Sequence, residues 1–450
     1  MVQVTRICKR TVVSTKPVQR GKVYDFSVLD RTMEHNHLKA VYYYRTRPGK
    51  YSTGELTSRL RESLSAMLSW YPMVTGRLVR DENGHWMIKC NDAGVRTVEA
   101  TATGSVEECL RDMDRGKEIE NFIHWEDMFY KTYYWSTFYV QITEFEEGGV
   151  AIGLSCTHLL ADPTTTAMFI KAWADTALTG KMACPPFFHR LPPRRPGNKK
   201  IGHKPCTHLI NHYKSSKNLS PLTTSGEEIA TVSLQFTNEM VHAVMETARG
   251  SEVEVGVGLS PFDALSGLFW ACISRVRGLK DELMDMSICV DVRKVLGLDK
   301  GYFGNCYVYN KVVHSEKGVG FELAAKAISQ AVSNMDNEGV MDLVEWLEHN
   351  DNKYHPSLDG SNLICANLEG LEDSKRAVFD DGCGPVRVSY YLEPFFGEGH
   401  VLVMPSTGWE WDYGPMSRIV MVTLPKDMVV RLCEDDQLMR FRPTIMMKAH

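Results

Sequence analysis

The sequence predicts a protein of the mixed α/β (α+β) class, built as two domains that each combine a mixed β-sheet with flanking helices. Strand and helix patterns occur in both halves of the 450-residue chain, which is typical of two α/β units. The length exceeds the size at which one hydrophobic core keeps growing. A stretch rich in Pro, Lys, Arg, Ser and His begins at about Pro185. We therefore predict domains at 1–184 and 226–450, joined by a crossover linker at 185–225.

Composition and charge argue against several classes of function. Hydrophobic residues make up 43% of the chain and charged residues 24%, which is ordinary for a globular protein. The formal net charge of -5 gives no reason to expect a nucleic acid or an anionic membrane as partner. No apolar run reaches the roughly 18 residues of a transmembrane helix, and no signal-peptide core precedes the first domain. The 12 cysteines form no CxxC pair, which favours a cytoplasmic location.

Hydrophobic patterns in the first half predict strands and helices in alternation. The first 24 residues carry six basic residues and no acid, as a transit peptide does, but the valines and Ile7 favour an opening strand. Leucines at every fourth position predict a helix over 53–69, with Thr53 as its cap. The sequence Asp81-Glu82-Asn83-Gly84 predicts a hairpin turn. Further strands are predicted at 38–44, 76–78, 86–90, 95–100, 138–145 and 150–156.

The stretch 150–168 places one histidine at the end of a buried strand. The strand alternates large apolar residues with small ones such as Gly153, so another element can approach one of its faces closely. Asp162 and Pro163 are typical of a helix N-cap and first helical position. Between strand and helix lies His158, where an imidazole can be held as a general base. On spacing alone, however, a hydrogen-bonded structural histidine is the commoner interpretation.

The predicted linker contains four residues of the types that bind metals: His203, Cys206, His208 and His212. No second ligand pair frames them, so we expect solvated linker side chains and no metal site. The basic run in the same stretch could meet an anionic cofactor or simply act as a solubilising connector.

The second half shows a similar alternation of elements. Ser260, Pro261 and Asp263 supply a capping hydroxyl, a first helical proline and an acid in the first turn of a predicted helix. Glycines bracket a turn at 301–305 before the next strand. Strands are predicted at 229–236, 287–292, 306–313, 386–392, 401–404 and 419–424, with further helices from 239 and over 321–334 and 340–349.

Seven short motifs occur in order along the chain. Those of the first half are Tyr71-Pro72 with Gly76-Arg77-Leu78, Cys90-Asn91-Asp92 with Gly94-Val95, Gly148-Gly149, and His158 with Asp162. Those of the second half are Phe262-Asp263-Ala264-Leu265 with Trp270, Val290-Asp291-Val292-Arg293, and Gly301-Tyr302-Phe303-Gly304-Asn305. Together they resemble the plant BAHD family, the HxxxD-type acyl-CoA-dependent acyltransferases, over nearly the whole chain.

The resemblance implies two domains similar to chloramphenicol acetyltransferase, with a channel between them where acyl-CoA and an acceptor meet. His158 would be the general base that activates a hydroxyl or amine of a small-molecule acceptor. Asp162 would be structural, pairing with Arg293, and Ser260 with the start of its helix is a candidate contact for CoA. Acyl-CoA is implied as a co-substrate, with no permanently bound cofactor, and relatives are mostly monomers. The segment near 380–404 is expected to pack back on the first domain.

One family motif is degraded. Relatives carry Asp-Phe-Gly-Trp-Gly and then a basic residue, where this chain has Asp380-Asp381-Gly382-Cys383-Gly384-Pro385. Asp380, Gly382 and Gly384 match the motif and are expected to support the site structurally. The missing basic residue argues against shikimate or quinate as acceptor.

Similar erosion occurs in the family's cuticular-wax branch, which implies an alternative function. The protein would then be a non-catalytic accessory of very-long-chain fatty-acid elongation, with a membrane elongase at the endoplasmic reticulum as its partner. A module that binds acyl-CoA without turning it over is a third interpretation. The intact motifs of the second half, together with Asp162, argue against the wax branch.

Overall fold

The computed structural model describes residues 2–16, 21–127, 135–194, 207–214, 228–250, 258–279, 282–313, 320–350, 354, 356, 363–380, 384–395, 397–407 and 414–447. These residues form a six-stranded, a seven-stranded and a three-stranded sheet, with helices packed against them. Within the same residues, buried apolar side chains form one cluster around the six-stranded sheet and another around the seven-stranded sheet. The predicted mixed α/β class is confirmed.

The elements follow in chain order. The strands are β1 (Val4–Val12), β2 (Val23–Asp25), β3 (His37–Tyr44), β4 (Arg77–Arg80), β5 (Trp86–Lys89), β6 (Val95–Ala102), β7 (Phe138–Phe145), β8 (Val150–Thr157), β9 (Ile229–Phe236), β10 (Met286–Asp291), β11 (Tyr307–Lys311), β12 (Leu363–Asn367), β13 (Arg387–Glu393), β14 (Gly399–Pro405), β15 (Arg418–Pro425) and β16 (Thr444–Met447). The helices are α1 (Val28–Arg31), α2 (Glu55–Leu68), α3 (Val106–Arg111), α4 (Arg115–Phe122), α5 (Pro163–Thr179), α6 (Thr207–Lys214), α7 (Asn238–Arg249), α8 (Pro261–Val276), α9 (Arg293–Leu296), α10 (Phe321–Ser333), α11 (Asn337–His349), α12 (Glu372–Lys375), α13 (Lys426–Cys433) and α14 (Asp436–Met439).

One strand of the second half lies in the sheet of the first half. The six-stranded sheet has the order β1-β6-β7-β8-β3-β13, and β13 pairs antiparallel with β3, from Arg387 opposite Tyr43 to Glu393 opposite His37. The next strand, β14, belongs to the seven-stranded sheet of order β11-β10-β12-β14-β15-β9-β16. The chain therefore crosses to the first sheet for one strand and then returns. The domain limits at 1–184 and 226–450 stay a prediction.

The face of β8 that carries the small residues packs closely against the end of helix α4. A Cβ atom built on Gly153 would lie 1.9 Å from the backbone oxygen of Phe122, the last residue of α4. Only a residue without a side chain allows this approach. The predicted close contact on this face is confirmed.

The predicted cap of α2 is wrong. The helix begins at Glu55 after Gly54, whose φ of 80° is left-handed and which offers no side-chain cap. Glu144 on β7 replaces the cap, accepting the backbone N–H groups of Gly54 at 2.9 Å and of Thr57 at 2.6 Å. A carboxylate at a helix N-terminus also interacts favourably with the helix dipole.

The stretch predicted as a surface linker contains a buried helix. Helix α6 buries Leu209, Ile210 and Tyr213, and Tyr213 Oη accepts the backbone N–H of Tyr309 at 3.2 Å. His212 is only 6% exposed, and burial followed by the charge of Lys311 lowers its pKa to about 4. The expectation of a solvated His212 is wrong because the helix packs into the core; His203 and Cys206 lie outside the described residues.

Candidate active site

His158 directly follows β8 and is held by the sheet. Its backbone N–H donates to the carbonyl of Asn36 at 2.9 Å. Strand β8 pairs with β3 on one side and with β7 on the other, so the turn that carries the imidazole starts from a fixed position. The residue is 3% exposed.

The amide of Asn305 fixes which ring nitrogen of His158 carries the proton. Asn305 Nδ2 donates to the carbonyl of His158 at 2.6 Å and to Asp30 Oδ1 at 2.9 Å, so both amide hydrogens are used. Asn305 Oδ1 lies 2.8 Å from His158 Nδ1. Because an amide oxygen can only accept, this hydrogen-bond network assigns the proton to Nδ1 and leaves a lone pair on Nε2 of the neutral ring.

Burial also keeps the ring neutral. Loss of hydration lowers the pKa of His158, and it outweighs the charge of Asp162 and the hydrogen bond of Asn305, which act in the opposite direction. An imidazole with a lowered pKa is neutral at pH 7, with one ring nitrogen free to accept a second proton.

Asp162 is fully buried and bound on several sides. As the N-cap of α5 it accepts the backbone N–H of Thr165 at 2.8 Å. Its second oxygen accepts the backbone N–H of Cys306 at 2.9 Å and lies 2.9 Å from Arg293 Nη2. The structure therefore brings Asp162 and Arg293 together.

Arg293 connects the start of α5 with the glycine-bracketed turn. Its Nη2 donates to the carbonyl of Gly304 at 2.6 Å and to Thr165 Oγ1 at 2.9 Å, and its Nη1 donates to Asp291 Oδ2 at 2.9 Å. Burial lowers the pKa of Arg293, but the carboxylates of Asp162 and Asp291 raise it by more than burial lowers it. The net shift of the pKa is therefore upward. The guanidinium is charged and positions the loops on either side of it.

The other predicted site residues have local structural contacts. Ser260 caps α8, with its Oγ accepting the backbone N–H of Asp263 at 3.2 Å. Asp380 pairs with Lys50. A Cβ on Gly384 would lie 2.5 Å from the carbonyl oxygen of Lys375, so the glycine is sterically required. Gly382 lies outside the described residues.

Two residues beside the imidazole were not singled out from the sequence for any chemistry. Asn305 is part of the motif at 301–305 without a predicted role of its own, and the sequence predicts no role for Asp30. Asp30 Oδ1 also accepts the backbone N–H of Asn305 at 2.7 Å. Burial raises the pKa of this carboxyl, against the hydrogen bonds that stabilise its charged form. The only sequence signal was the spacing of Ser27 and Asp30, which is that of a capping box.

The described part of the chain offers neither a metal centre nor a membrane-spanning helix. There, His, Cys, Asp and Glu side chains form no group of three or more that could hold a metal ion. No helix among the ranges given above is long and apolar enough to cross a membrane.

Two solved structures share the fold of this chain over nearly its whole length. The crystal structure of F. sporotrichioides TRI101 complexed with coenzyme A and T-2 has a TM-score of 0.72 at 14% identity, covering 95% of this chain and 100% of that one. Vinorine synthase has a TM-score of 0.70 at 16% identity, covering 99% and 100%. At such identities the likeness concerns the fold alone.

The sequence comparison then defines the family. The profile described as "Transferase family" matches residues 2–439. A hydroxycinnamoyltransferase of Narcissus pseudonarcissus is 30% identical over 334 residues, 72% of this chain and 74% of the relative. Protein ECERIFERUM 26-like of Arabidopsis thaliana is 25% identical over 423 residues, 94% of this chain and 92% of the relative. The chain belongs to the BAHD acyltransferase family, as the sequence motifs predict.

Proposed function

We propose that this protein transfers an acyl group from acyl-CoA to a hydroxyl or amine of a small molecule, with His158 as general base. The observation that carries the proposal is the contact of His158 Nδ1 with Asn305 Oδ1 at 2.8 Å. It leaves Nε2 as the basic atom of a neutral imidazole. Hydroxyl and amine acceptors need the same base, so His158 alone does not decide between them.

The chemistry needs one proton acceptor and no covalent enzyme intermediate. His158 Nε2 takes the proton of the acceptor as its oxygen or nitrogen attacks the thioester carbonyl. The tetrahedral intermediate then collapses, the C–S bond breaks, and the imidazolium returns the proton to the CoA sulfur. The products are an ester or amide and free CoA, and the imidazole is neutral again.

Asp162 has a supporting role in this proposal. Its oxygens are already engaged by Thr165, Cys306 and Arg293. The carboxylate therefore holds the loops around His158 in place rather than exchanging protons. Asp380 and Gly384 would support the site in the same structural sense, through Lys50 and the close packing on Lys375.

The start of α8 is the candidate contact for CoA. The start of α8, a 16-residue helix, offers backbone N–H groups that favour phosphate. Ser260 Oγ, however, already caps this helix, and the carboxylate of Asp263 lies in its first turn. If Ser260 contacts CoA, the variant Ser260→Ala raises KM for acyl-CoA and leaves kcat unchanged.

The test is CoA release by the purified protein with several acyl-CoAs and acceptor classes, measured as free thiol. His158→Ala should abolish acceptor-dependent release while circular dichroism shows an unchanged fold. His349→Ala, at an exposed position near the end of α11, is the matched control and should keep wild-type turnover. Wild-type rates in His158→Ala would reject the assignment of the base.

The departure of residues 380–385 from the family motif favours a second candidate function, a non-catalytic accessory of a fatty-acid elongase. This role needs the surface of the protein and not its imidazole. A plant that lacks the protein would then be restored equally well by the wild type and by His158→Ala. Restoration by the wild type but not by His158→Ala supports the proposed acyltransferase function.

A further inference from the structure

We propose that Asp30 is a positioning residue of the active site, which orients the amide of Asn305 and thereby fixes the His158 proton on Nδ1. The inference rests on the proposed function, since it concerns the same imidazole. It adds to that function a residue from the beginning of the chain, 275 positions away from Asn305.

Asp30 contacts Asn305 at two points. The same oxygen, Oδ1, accepts the backbone N–H of Asn305 at 2.7 Å and its side-chain Nδ2 at 2.9 Å. The first contact fixes the backbone, and the second fixes the side-chain amide relative to it. Hydrogen bonds to a carboxylate are about twice as strong as those between neutral groups.

The orientation of the amide decides the tautomer of the ring. If the amide of Asn305 turned by half a rotation, its oxygen would face the carboxylate of Asp30 and its NH₂ group would face His158 Nδ1. The first contact is repulsive, and the second requires an unprotonated Nδ1 with the proton on Nε2. That tautomer has no lone pair on Nε2 and cannot accept a proton there. The carbonyl of His158, which accepts from Asn305 Nδ2 at 2.6 Å, favours the same orientation as Asp30.

Asp30 is itself firmly held. Its Oδ2 accepts the backbone N–H of Ser27 at 2.7 Å, and its backbone N–H donates to Ser27 Oγ at 3.1 Å, in the capping box of α1. The residue is 6% exposed. One oxygen thus anchors the carboxylate to α1 while the other acts on Asn305. A purely structural role in the capping box would use only the contact with Ser27.

The neighbourhood supplies a matched control. Asp30 borders a cavity of about 610 Å³, and Asp25 lines the same cavity. Asp25 pairs with Arg190 at 2.8 Å, and it belongs to β2 rather than to the capping box. Asp25→Asn therefore removes one negative charge from the lining of the same cavity, and it leaves the acceptor of the Asn305 N–H groups in place.

The experiment reads the tautomer directly, by ¹⁵N NMR of protein labelled at histidine. The resonances of His158 are assigned by their loss in His158→Ala. The wild type and Asp25→Asn should show the proton on Nδ1, whereas Asp30→Asn should shift a measurable fraction to Nε2. In the same variant we expect kcat to fall about tenfold, with KM for acyl-CoA nearly unchanged.

Retention of the Nδ1 proton in a folded Asp30→Asn protein overturns the proposal and leaves Asp30 with its role in the capping box of α1 alone. If Asp30→Asn does not fold, Asn305→Ala provides the second test, since it removes the acceptor of Nδ1; an unchanged tautomer there also overturns the proposal. A tautomer shift together with wild-type turnover in His158→Ala would disprove the general base and uphold the positioning contact, so the two failures can be told apart.

Discussion

Arg293 Nη2 lies 2.9 Å from Asp162 Oδ2, and this ion pair joins the turn after β8 to the start of α9. Asp162 is 0% exposed and Arg293 7%. Asp162→Ala removes one of the two carboxylates that pair with Arg293. It also takes the acceptor from the buried backbone N–H groups of Thr165 and Cys306. Breaking a buried ion pair by removing one partner costs about 3–5 kcal/mol. Asp162→Ala should therefore lower the free energy of unfolding by about that amount in urea denaturation.

Asp427→Ala is the control for that variant. Asp427 pairs with Arg431 on the surface of α13, where both side chains are more than half exposed. Such pairs contribute about 0–1 kcal/mol. Equal losses of stability in the two variants would contradict the view that the pair of Asp162 and Arg293 holds the site together.

The contact between α4 and β8 gives a second prediction. Gly153→Ala places a methyl group 1.9 Å from the carbonyl oxygen of Phe122, and backbone on both sides must move. Overpacking of this kind costs about 1–3 kcal/mol or more, measured as a lowered midpoint of thermal unfolding. Gly258→Ala is the control, because an added Cβ there meets nothing within 4 Å. A Gly153→Ala protein as stable as the wild type would show that α4 is free to move away.

The elements that the sequence predicts well are those whose signal is local. Strand β8 follows from the alternation of large apolar and small residues after position 150, and the start of α8 follows from Ser260 and Pro261. The predicted strands at 138–145 and 229–236 have the bounds of β7 and β9. Each of these patterns lies within about ten residues, so the local preferences of those residues are enough to predict the element.

The features that the sequence did not predict depend on distant partners. Glu144 accepts hydrogen bonds from the start of α2 although it lies 87 positions away from Thr57 in the sequence. Asp30 accepts a hydrogen bond from Asn305, which lies 275 positions away. Local periodicity carries no information on which carboxylate reaches which N–H. The burial of α6 was missed for another reason, since its short apolar face lies within a stretch whose Pro and Lys content is typical of a linker.

The lowered pKa of His158 has a consequence for the pH profile. The neutral imidazole is the active form, and it is lost as the pH falls through the pKa of the folded protein. Because burial lowers that pKa from 6.5, the acid limb of kcat/KM should lie below pH 6.5. Circular dichroism at each pH separates this limb from acid unfolding. An acid limb centred above pH 6.5 would contradict a desolvated base.

The last prediction concerns Glu393, whose carboxylate lies among three cationic or titratable side chains. Arg115 Nη2 donates to it at 2.6 Å, His37 Nε2 lies 3.2 Å away, and Lys39 also pairs with it. Burial raises the pKa of Glu393, but His37, Lys39 and Arg115 together lower it to about 2, from an ordinary value of 4.5. Linkage then gives a stabilisation of about 3 kcal/mol.

This stabilisation is complete above pH 4.5, the value of the unfolded chain, and is lost as the pH falls through the folded value of about 2. Glu393→Gln should therefore lower the free energy of unfolding by about 3 kcal/mol at pH 7 and by progressively less between pH 4.5 and pH 2. Glu107→Gln, which breaks the exposed pair with Arg45, should cost less than about 1 kcal/mol at every pH. A constant difference between Glu393→Gln and the wild type across this range would show that the residue stabilises the sheet by packing rather than by its charge.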